Sequence, residues 1–406
     1  MALEFNERAG CQEYFSKAHD MVRRSVRDFV KKEILPNIDD WEEQGEFPLG
    51  LYAKAGEVGI LGIGYPEELG GIPGDLFFKV AASEELMRSG SGGLVAGLGS
   101  LDIAIPPIIR HGTDEQKERF VKPVLAGKKI AALGITEPSG GSDVARLRTT
   151  AVRDGELDVD AVREVAAMVE DLRSPDLGVL IITHYSRILR YMKPDPIHVM
   201  VAVSMVCGAG ALALAGVGVE VPQADVLTGA VTYLAQAQGS AKGSHVRDKV
   251  TEMIHLSETL YSSSIACSAE GWPTPSGAFM VDTMLANVCK QNVTRFHFEV
   301  ARLAVDLAGG FIATMPSQYD LENEDVGHLV RKYFSGVADI PTEDRVKIAR
   351  MIEAMTGGTV MIESMHGAGS PQAQRIMIFR EGDLQNKIKM AKALAGIPTR
   401  KDKKKK

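Results

Sequence analysis

The chain of 406 residues is 45% hydrophobic and 24% charged, a balance typical of a globular protein with more than one domain. Its formal net charge of −7 is uneven, because the last seven residues hold six bases and one acid. Residues 1–399 therefore carry 40 bases against 52 acids. These figures argue against a disordered chain, and the acidic body argues against non-specific nucleic-acid binding.

Cysteine usage indicates a reducing compartment. The four cysteines are Cys11, Cys207, Cys267 and Cys289, and no pair has CxxC spacing. Four cysteines in a chain of this length make no disulfide framework, and the missing CxxC argues against a self-contained metal site. The first ten residues have no apolar signal core. We expect a cytoplasmic protein without a metal site.

The first 130 residues are predicted to form a helical domain. Residues 21–34 repeat apolar side chains near a 3.6-residue period, and Pro36 ends that helix. Further helices are predicted over residues 49–58 and 76–87, and Thr113 is an N-cap candidate before an apolar turn.

The pattern then changes to strand and turn. Residues 129–135 are a short apolar run that predicts a strand, and the glycine-rich turn TEPSGGSD follows it at residues 136–143. Free backbone N–H groups in such a turn suit a phosphate or the edge of a flavin ring. The same composition also occurs in ordinary loops.

The middle of the chain alternates helix and strand. A helix is predicted over residues 159–172 and a strand over residues 179–183. Residues 199–219 carry no charge and are long enough to cross a membrane. They are rich in glycine and alanine and lack an aromatic belt, so we predict a buried helix or a connector, and no membrane partner.

From residue 224 the chain is predicted to be helical again. Amphipathic runs cover residues 225–237, 246–269, 283–308 and 344–355, and the chain closes on a basic tail at residues 398–406.

The N-terminal motifs resemble one known family. The segment RHGTDEQKERFVKPVLAGKKIAALGITEPSGGSD, with PEELGG upstream, is similar to the acyl-CoA dehydrogenase family, and the resemblance covers residues 1–155. It implies bound FAD next to the thioester of an acyl-CoA. Arg146 departs from the small residue usual in that family, and no Trp-Ile-Thr-like flavin strand follows. The resemblance assigns the flavin side to Leu133, Ile135, Thr136, Gly141 and Ser142.

Residues 155–201 resemble a different family, the ABC-type ATPase of iron–sulfur cluster assembly. His184 in ITHYSRILRYMKPD matches the switch histidine of that family. The chain has no GxxxxGK[ST] motif to hold phosphate, so we expect no ATP hydrolysis and interpret His184 as structural.

The longest resemblance covers residues 224–397 and is to 4-hydroxybutyryl-CoA dehydratase, a flavoprotein with an iron–sulfur cluster, whose relatives include the flavin-dependent 4-hydroxyphenylacetate hydroxylases. It is carried by ADVLTGAVTYLAQAQGSAKGSHVRDKVTEMIHL, LANVCKQNVTRFHFEVARLAVDLAGG and ESMHGAGSPQAQRIMIFREGD. It implies that Glu363 is catalytic, with His366 beside it. It also implies that Gly309 and Gly310 close over the flavin of a neighbouring subunit.

A carboxylate at position 363 suits the implied chemistry. Removing a proton alpha to a thioester needs a base, and the apolar neighbours in VMIESM would raise the pKa of Glu363. Without the resemblance, Glu363 reads as a solvated side chain on an amphipathic helix. Cys207 does not have the spacing of the dehydratase cluster ligands, and Cys267 and Cys289 are interpreted as small buried residues. An iron–sulfur cluster is therefore not expected.

We predict a mainly α fold with a small α/β middle, in which two acyl-CoA dehydrogenase-like helical domains flank a truncated or replaced β-domain. The predicted function is FAD-dependent chemistry at Cα–Cβ of an acyl-CoA, either dehydrogenation or dehydration, in a homo-oligomer joined by the C-terminal helices. Three alternatives stay open: a non-catalytic helical assembly module, a hydroxylase-like monooxygenase, and a subunit that binds an iron–sulfur assembly partner through residues 157–201. The chain is a natural fusion, a recombined or designed sequence, or an assembly error. The predicted boundaries are 1–130, 131–156, 157–201, 202–223, 224–397 and 398–406.

Overall fold

Helices dominate the computed structural model, which describes residues 14–132, 179–181, 221–275, 277, 279–357, 361 and 371–397. The N-terminal helices are α1 (Lys17–Phe29), α2 (Ile38–Gln44), α3 (Gly50–Glu57), α4 (Leu76–Leu86), α5 (Gly92–Gly99), α6 (Leu101–Ala104), α7 (Pro106–His111), α8 (Asp114–Gln116) and α9 (Lys122–Leu125). A π-helical turn, Val30–Ile34, extends α1, and a second one, Lys117–Val121, joins α8 to α9.

The helix predicted over residues 21–34 is confirmed as α1 and its π-helical extension. The sequence period places Val26, Phe29, Val30 and Ile34 on one face, and all four are buried in the N-terminal core. Thr113 is confirmed as an N-cap, because its hydroxyl accepts from the backbone N–H of Gln116 at 3.2 Å.

Among the described residues, one helical stretch, Gly92–Arg110, has the length and apolar composition of a membrane span. Its large side chains at Leu94, Leu98, Leu101 and Ile105 are buried in the N-terminal core. Packing of these side chains in the core thus explains why the stretch is apolar.

Two short strands connect the middle of the chain to this core. Strand β1 (Ile130–Ala132) pairs in parallel with β2 (Val179–Ile181), with Ala131 opposite Leu180. Both strands lie inside predicted strand segments, which confirms those segments over these residues. Their pairing was not predicted, because it joins segments with resemblances to different families.

The C-terminal helices are α10 (Val221–Ala237), α11 (Ser244–Ala269), α12 (Thr283–Ala308), α13 (Phe311–Thr314), α14 (Gln318–Glu322), α15 (Gly327–Tyr333), α16 (Thr342–Thr356), α17 (Pro371–Glu381) and α18 (Leu384–Leu394). A short antiparallel pair, β3 (Trp272–Pro273) and β4 (Phe279–Met280), lies between α11 and α12. Helices α10, α11, α12 and α16 pack against one another around a second core that includes Leu227, Leu234, Met253 and Ile352. The four predicted amphipathic runs match these helices.

A third cluster joins the two helical halves. Leu76, at the start of α4, packs with Cys267, Val281 and Ala286 of the C-terminal half. Cys267 and Cys289 are free and buried, which confirms their interpretation as small core residues. The mainly α fold class is therefore confirmed for the described residues, while the predicted domain boundaries stay predictions.

Candidate functional site

Most of the predicted site residues lie outside the described residues: Leu133, Ile135, Thr136, Gly141, Ser142, Glu363 and His366. The chain on either side of them is described. Ala132 ends β1 directly before Leu133, and Met361 and Pro371 stand on either side of residues 362–370. The described flanks therefore define where these segments leave and rejoin the fold.

Strand β1 fixes the approach to the glycine-rich turn. The Ser100 hydroxyl, between α5 and α6, donates to the Ala131 carbonyl at 2.9 Å. Ala131 is buried and takes part in the parallel pairing with β2. The backbone two residues before Leu133 is thus held to the N-terminal core by a hydrogen bond and a strand pair.

The glycines at the end of α12 are open to an approaching group. Gly309 has a φ of 64° and ends the helix through its N–H, which donates to the Val305 carbonyl at 3.0 Å. A Cβ built at Gly309 or Gly310 would meet no atom within 4 Å. Bare backbone in open space at this corner fits close contact with a large cofactor.

A charged pair borders these glycines. Asp306 lies one turn before Gly310 and pairs with Lys249 of α11 at 2.7 Å. The hydrogen bond from Lys249 lowers the pKa of the Asp306 carboxyl. The carboxylate is therefore neutralised on the protein side, so it offers little repulsion to an anionic group near the glycines.

A row of polar side chains is buried along the N-terminal half of α12. Asn287, Lys290, Thr294 and His297 follow one another at spacings of three, four and three residues, so they share one face of the helix. All four are buried, and Lys290 is 1% exposed. We name these four residues the α12 polar row. Buried lysine and histidine on one helix face are uncommon in a core that serves only packing.

Electrostatics in the α12 polar row favours a neutral imidazole. Burial, and next the positive charge of Lys290, lower the pKa of His297 from 6.5 to about 4. His297 is therefore neutral near pH 7 and keeps both a hydrogen-bond donor and an acceptor nitrogen.

Helix α17 packs against α12 in an antiparallel direction. Arg375 Nε donates to Gln291 Oε1 at 3.0 Å, and Thr283 Oγ1 donates to Glu381 Oε2 at 3.0 Å. Later residues of α17 thus meet earlier residues of α12. Pro371, four residues before Arg375, is placed about 6 Å further along, near the level of Thr294.

This register places Pro371 near the level of the α12 polar row and leaves the glycines further along the helix. The chain carrying Glu363 and His366 rejoins the described fold at Pro371, at the level of Thr294. Gly309 is twelve residues beyond His297, about 18 Å along the helix axis. Within one subunit the α12 polar row and the glycines thus face different regions.

Glu381 is a half-buried titratable group at this interface. Burial and the neighbouring charge of Asp282 raise the pKa of the Glu381 carboxyl, while the hydrogen bond from Thr283 opposes that rise. The interface of α12 and α17 therefore disfavours the charged form of this carboxyl.

The sequence analysis missed the α12 polar row. Its signal was present in the helix sequence, where Asn287, Lys290, Thr294 and His297 interleave with small and apolar residues at helical spacing. The burial that makes this spacing informative comes from later segments, including α17, which no local pattern indicates.

The described residues contain no group of three or more His, Cys, Asp or Glu side chains that could hold a metal ion. Burial, and next the nearby Cys289, raise the pKa of the Cys267 thiol to about 12. Cys289 Sγ lies 3.0 Å from the Ser264 hydroxyl. Both cysteines are thus suited to packing rather than to ligation as thiolates.

Comparison with known proteins assigns the two halves separately. Residues 16–128 match the family model of the acyl-CoA dehydrogenase N-terminal domain, and residues 204–396 match that of the 4-hydroxyphenylacetate 3-hydroxylase C terminal. The two outer resemblances are thereby confirmed, while the ATPase resemblance of residues 155–201 stays a prediction.

Curated relatives match parts of the chain. The 4-hydroxybutyryl-CoA dehydratase/vinylacetyl-CoA-Delta-isomerase of Clostridium aminobutyricum is 48% identical over 192 residues, which cover 44% of this chain and 39% of the relative. The mitochondrial long-chain specific acyl-CoA dehydrogenase of Rattus norvegicus is 36% identical over 205 residues, 47% of each chain. The chain thus spans less than half the length of each of these relatives.

Solved structures match nearly the whole chain. An oxygen-tolerant archaeal 4-hydroxybutyryl-CoA dehydratase from N. maritimus aligns with a TM-score of 0.65 and 23% identity, over 94% of this chain and 95% of the other. An acyl-CoA dehydrogenase from Geobacillus kaustophilus aligns with a TM-score of 0.61 and 18% identity, over 91% and 99%. At these identities the matches show the fold, which is that of the acyl-CoA dehydrogenases.

Proposed function

We propose that the protein is a FAD-dependent enzyme that acts at Cα–Cβ of an acyl-CoA thioester. The observation that carries the proposal is the 48% identity over 192 residues to a protein named for 4-hydroxybutyryl-CoA dehydration. The N-terminal match to acyl-CoA dehydrogenases and the shared fold agree with it, because both point to the same class of thioester.

Glu363 is the proposed base at the α-carbon, and the α12 polar row is its proposed surrounding. The segment that carries Glu363 rejoins the fold at Pro371, beside Thr294. Met361, two residues before Glu363, is 6% exposed. A carboxylate is a side chain suited to removing the α-proton of a thioester.

Lys290 and His297 have separate proposed tasks. The Lys290 ammonium is a buried positive charge, suited to hold the thioester oxygen as negative charge develops on it during proton removal. The neutral imidazole of His297 accepts or donates one hydrogen bond in the same environment and so helps to orient the substrate. Lys290 and His297 are both buried, so their proposed contacts with the substrate would form where water is excluded.

The described residues fit the proposed cofactor at one corner of the fold. Gly309 and Gly310 offer open backbone, and Lys249 neutralises the adjacent Asp306 carboxylate. Together with Leu133, Ile135, Thr136, Gly141 and Ser142, they would hold FAD. Bound FAD would supply the two-electron acceptor that oxidation of Cα–Cβ requires. The separation of about 18 Å between His297 and Gly309 favours glycines supplied by a second subunit.

Flavin retention and two assays test this proposal. Purified protein is incubated with FAD, desalted, and its visible absorption spectrum recorded. We expect a retained flavin band, followed by oxidation of butyryl-CoA with an added electron acceptor or by dehydration of 4-hydroxybutyryl-CoA. The assay that responds decides between dehydrogenase and dehydratase chemistry. Loss of all flavin on desalting would contradict the proposal and favour a non-catalytic helical module.

A second candidate function is a flavin-dependent hydroxylase. It is favoured by the match of residues 204–396 to the 4-hydroxyphenylacetate 3-hydroxylase C-terminal model. Incubation of the FAD-loaded protein with reduced flavin, oxygen and 4-hydroxyphenylacetate tests it. A hydroxylated product, with no response to either CoA thioester, would replace the first proposal.

We also propose that the protein self-associates through its C-terminal helices and that it acts in the cytoplasm. The proposed need for glycines from a second subunit supports self-association. Sedimentation velocity of the full chain tests it, and a single monomeric species at all concentrations would contradict it.

A further inference from the structure

The last helix that the structure describes, α18, is exposed along its length. No side chain of α18 is buried, and Leu394 is 93% exposed. Phe379, near the end of α17, is 70% exposed and extends the apolar surface. An isolated helix of eleven residues is marginal in water, so α18 needs a covering surface to be stable.

The exposed helix is amphipathic and basic. Leu384, Ile388, Ala391 and Leu394 follow helical spacing and form one apolar face. The segment from 384 to 397 contains three lysines and no acidic residue. The surface that covers α18 should therefore be apolar at its centre and acidic around it.

A capped turn sets the direction of α18. Asp383 has a φ of 40°, a conformation that is uncommon for residues other than glycine. Its carboxylate accepts from the backbone N–H of Asn386 at 3.1 Å and caps the helix. The capped turn at Asp383 thus holds α18 in its exposed position.

A surface of matching chemistry lies elsewhere on the same chain. Helices α14 and α15 pack on each other and form what we name the acidic hairpin, residues 318–333. Tyr319 is 85% exposed and Tyr333 is 72% exposed, with Leu329 also exposed. Residues 318–326 hold four acidic residues and no basic one. The whole acidic hairpin holds these four acids and two bases, Arg331 and Lys332, of which Arg331 pairs with Glu343 at 2.5 Å. It is therefore apolar and net negative, where α18 is apolar and positive.

We propose that α18 of one copy of this chain packs on the acidic hairpin of a second copy. The apolar face of α18 covers Tyr319, Leu329 and Tyr333, and Lys389 and Lys392 face the acidic residues. A second copy supplies this apolar and net negative surface, and an anionic membrane is the competing occupant that the test below distinguishes. The inference rests on the proposed self-association of the protein and names the two surfaces that form it.

Charge exchange on the full-length, FAD-loaded protein tests this pairing. One variant carries K389E and K392E, a second carries E324K and D325K, and a third combines all four changes. Association is measured by sedimentation velocity at 50 and 500 mM salt. We expect each double variant to weaken association about tenfold and the combined variant to restore it. Higher salt should weaken the association of the wild-type chain.

Leu394→Asp is the apolar test, with Met21→Asp on α1 as a matched control, because Met21 is also exposed at 68%. We expect L394D to dissociate the protein and M21D to leave it unchanged, with equal helical circular dichroism in both. A combined charge variant that stays dissociated, or an L394D protein that still associates, would overturn the pairing. A wild-type chain that binds anionic vesicles without self-association would overturn it too.

The flavin spectrum separates this inference from the proposed enzyme. A wild-type chain that binds FAD and associates, while every variant also associates, would overturn only the named surfaces. A chain that associates as expected without binding FAD would support the surfaces and overturn the enzyme.

Discussion

One buried and one half-buried glutamate show how differently the two helical halves treat polar groups. Glu85 in α4 accepts from Arg27 Nη2 at 2.7 Å and from Arg88 Nε at 2.5 Å. Burial alone would raise the pKa of Glu85, but the two arginines outweigh it and lower that pKa. In contrast, the pKa of Glu381 is raised. The N-terminal half stabilises a charge, and the interface of α12 and α17 suppresses one.

His19 in the N-terminal half and His297 in the C-terminal half differ in the same way. His19 bridges two helix starts, because its Nδ1 accepts from the Ser16 backbone N–H at 2.9 Å and its Nε2 lies 2.9 Å from Asp75 Oδ1. His297 instead sits beside a buried lysine and is kept neutral. Groups paired between helices serve the fold. A side chain held in its neutral form, such as His297, is suited to hydrogen bonding.

The largest expected effect is on the N-terminal half. Glu85→Gln removes the charge that balances two arginines and should lower the free energy of unfolding by about 3–5 kcal/mol. Glu84→Gln is the control, because Glu84 is more exposed and pairs with Arg23, and it should cost less than about 1 kcal/mol. Urea unfolding followed by circular dichroism measures both. Equal effects would contradict the structural role of Glu85.

The stability of wild type and of Glu85→Gln can also be compared at acidic pH. The folded-state pKa of Glu85 lies below its ordinary value of 4.5, so its contribution is present above that pH. The contribution is lost as the pH falls through the folded-state pKa. The difference in stability between wild type and Glu85→Gln should therefore shrink in acid, and a difference that grew would contradict this assignment.

The next effect concerns His297. Its folded-state pKa of about 4 lies below the ordinary 6.5, so the unfolded chain binds more protons between these values. Stability should therefore fall by about 3 kcal/mol as the pH drops from 6.5 to 4. The His297→Gln variant should lack this slope, while His255→Gln, at an exposed position of α11, should keep it. Urea unfolding across this pH range provides the measurement.

Lys290 separates function from stability. Lys290→Met replaces a buried charge with an apolar side chain of similar length, and urea unfolding of the variant separates a loss of stability from a loss of turnover. Turnover of the responding CoA thioester should fall by about 100-fold. Lys347→Met, at an exposed position of α16, is the control. Normal turnover in Lys290→Met would show that the α12 polar row is not part of the site.

The smallest effect concerns the contact between α12 and α17. Thr283→Val removes the hydrogen bond to Glu381 and should cost about 1 kcal/mol of unfolding free energy. Thr232→Val removes a bond from the hydroxyl to the Thr228 carbonyl of its own helix, α10. If that control costs as much as Thr283→Val, the contact between the helices adds nothing of its own.

Local patterns were sufficient for most helices. Helix α12 begins and ends where the sequence predicted, because Asp282 accepts from the Leu285 N–H at 2.7 Å and Gly309 ends the helix. Long-range contacts were not predictable. The pairing of β1 with β2 joins residues 49 apart in sequence, Ile130 and Val179.

The candidate site was predicted only in part. Glu363, His366 and the flavin residues 133–142 came from family resemblance and lie outside the described residues. The α12 polar row escaped because polar residues at helical spacing usually face solvent. Only the packing of later segments, α17 among them, shows that Lys290 and His297 are buried, and that contact joins residues more than seventy positions apart.

Exchange of the α-proton of an acyl-CoA with D2O tests the central claim most directly. The FAD-loaded protein is incubated with butyryl-CoA in D2O, and deuterium in the thioester is measured by mass spectrometry. We predict rapid exchange by the wild-type chain, a loss of about 100-fold or more in Glu363→Gln, and no loss in the control Glu353→Gln on α16. Exchange that is equal in Glu363→Gln and wild type, or absent from the flavin-loaded wild-type chain, would contradict the account.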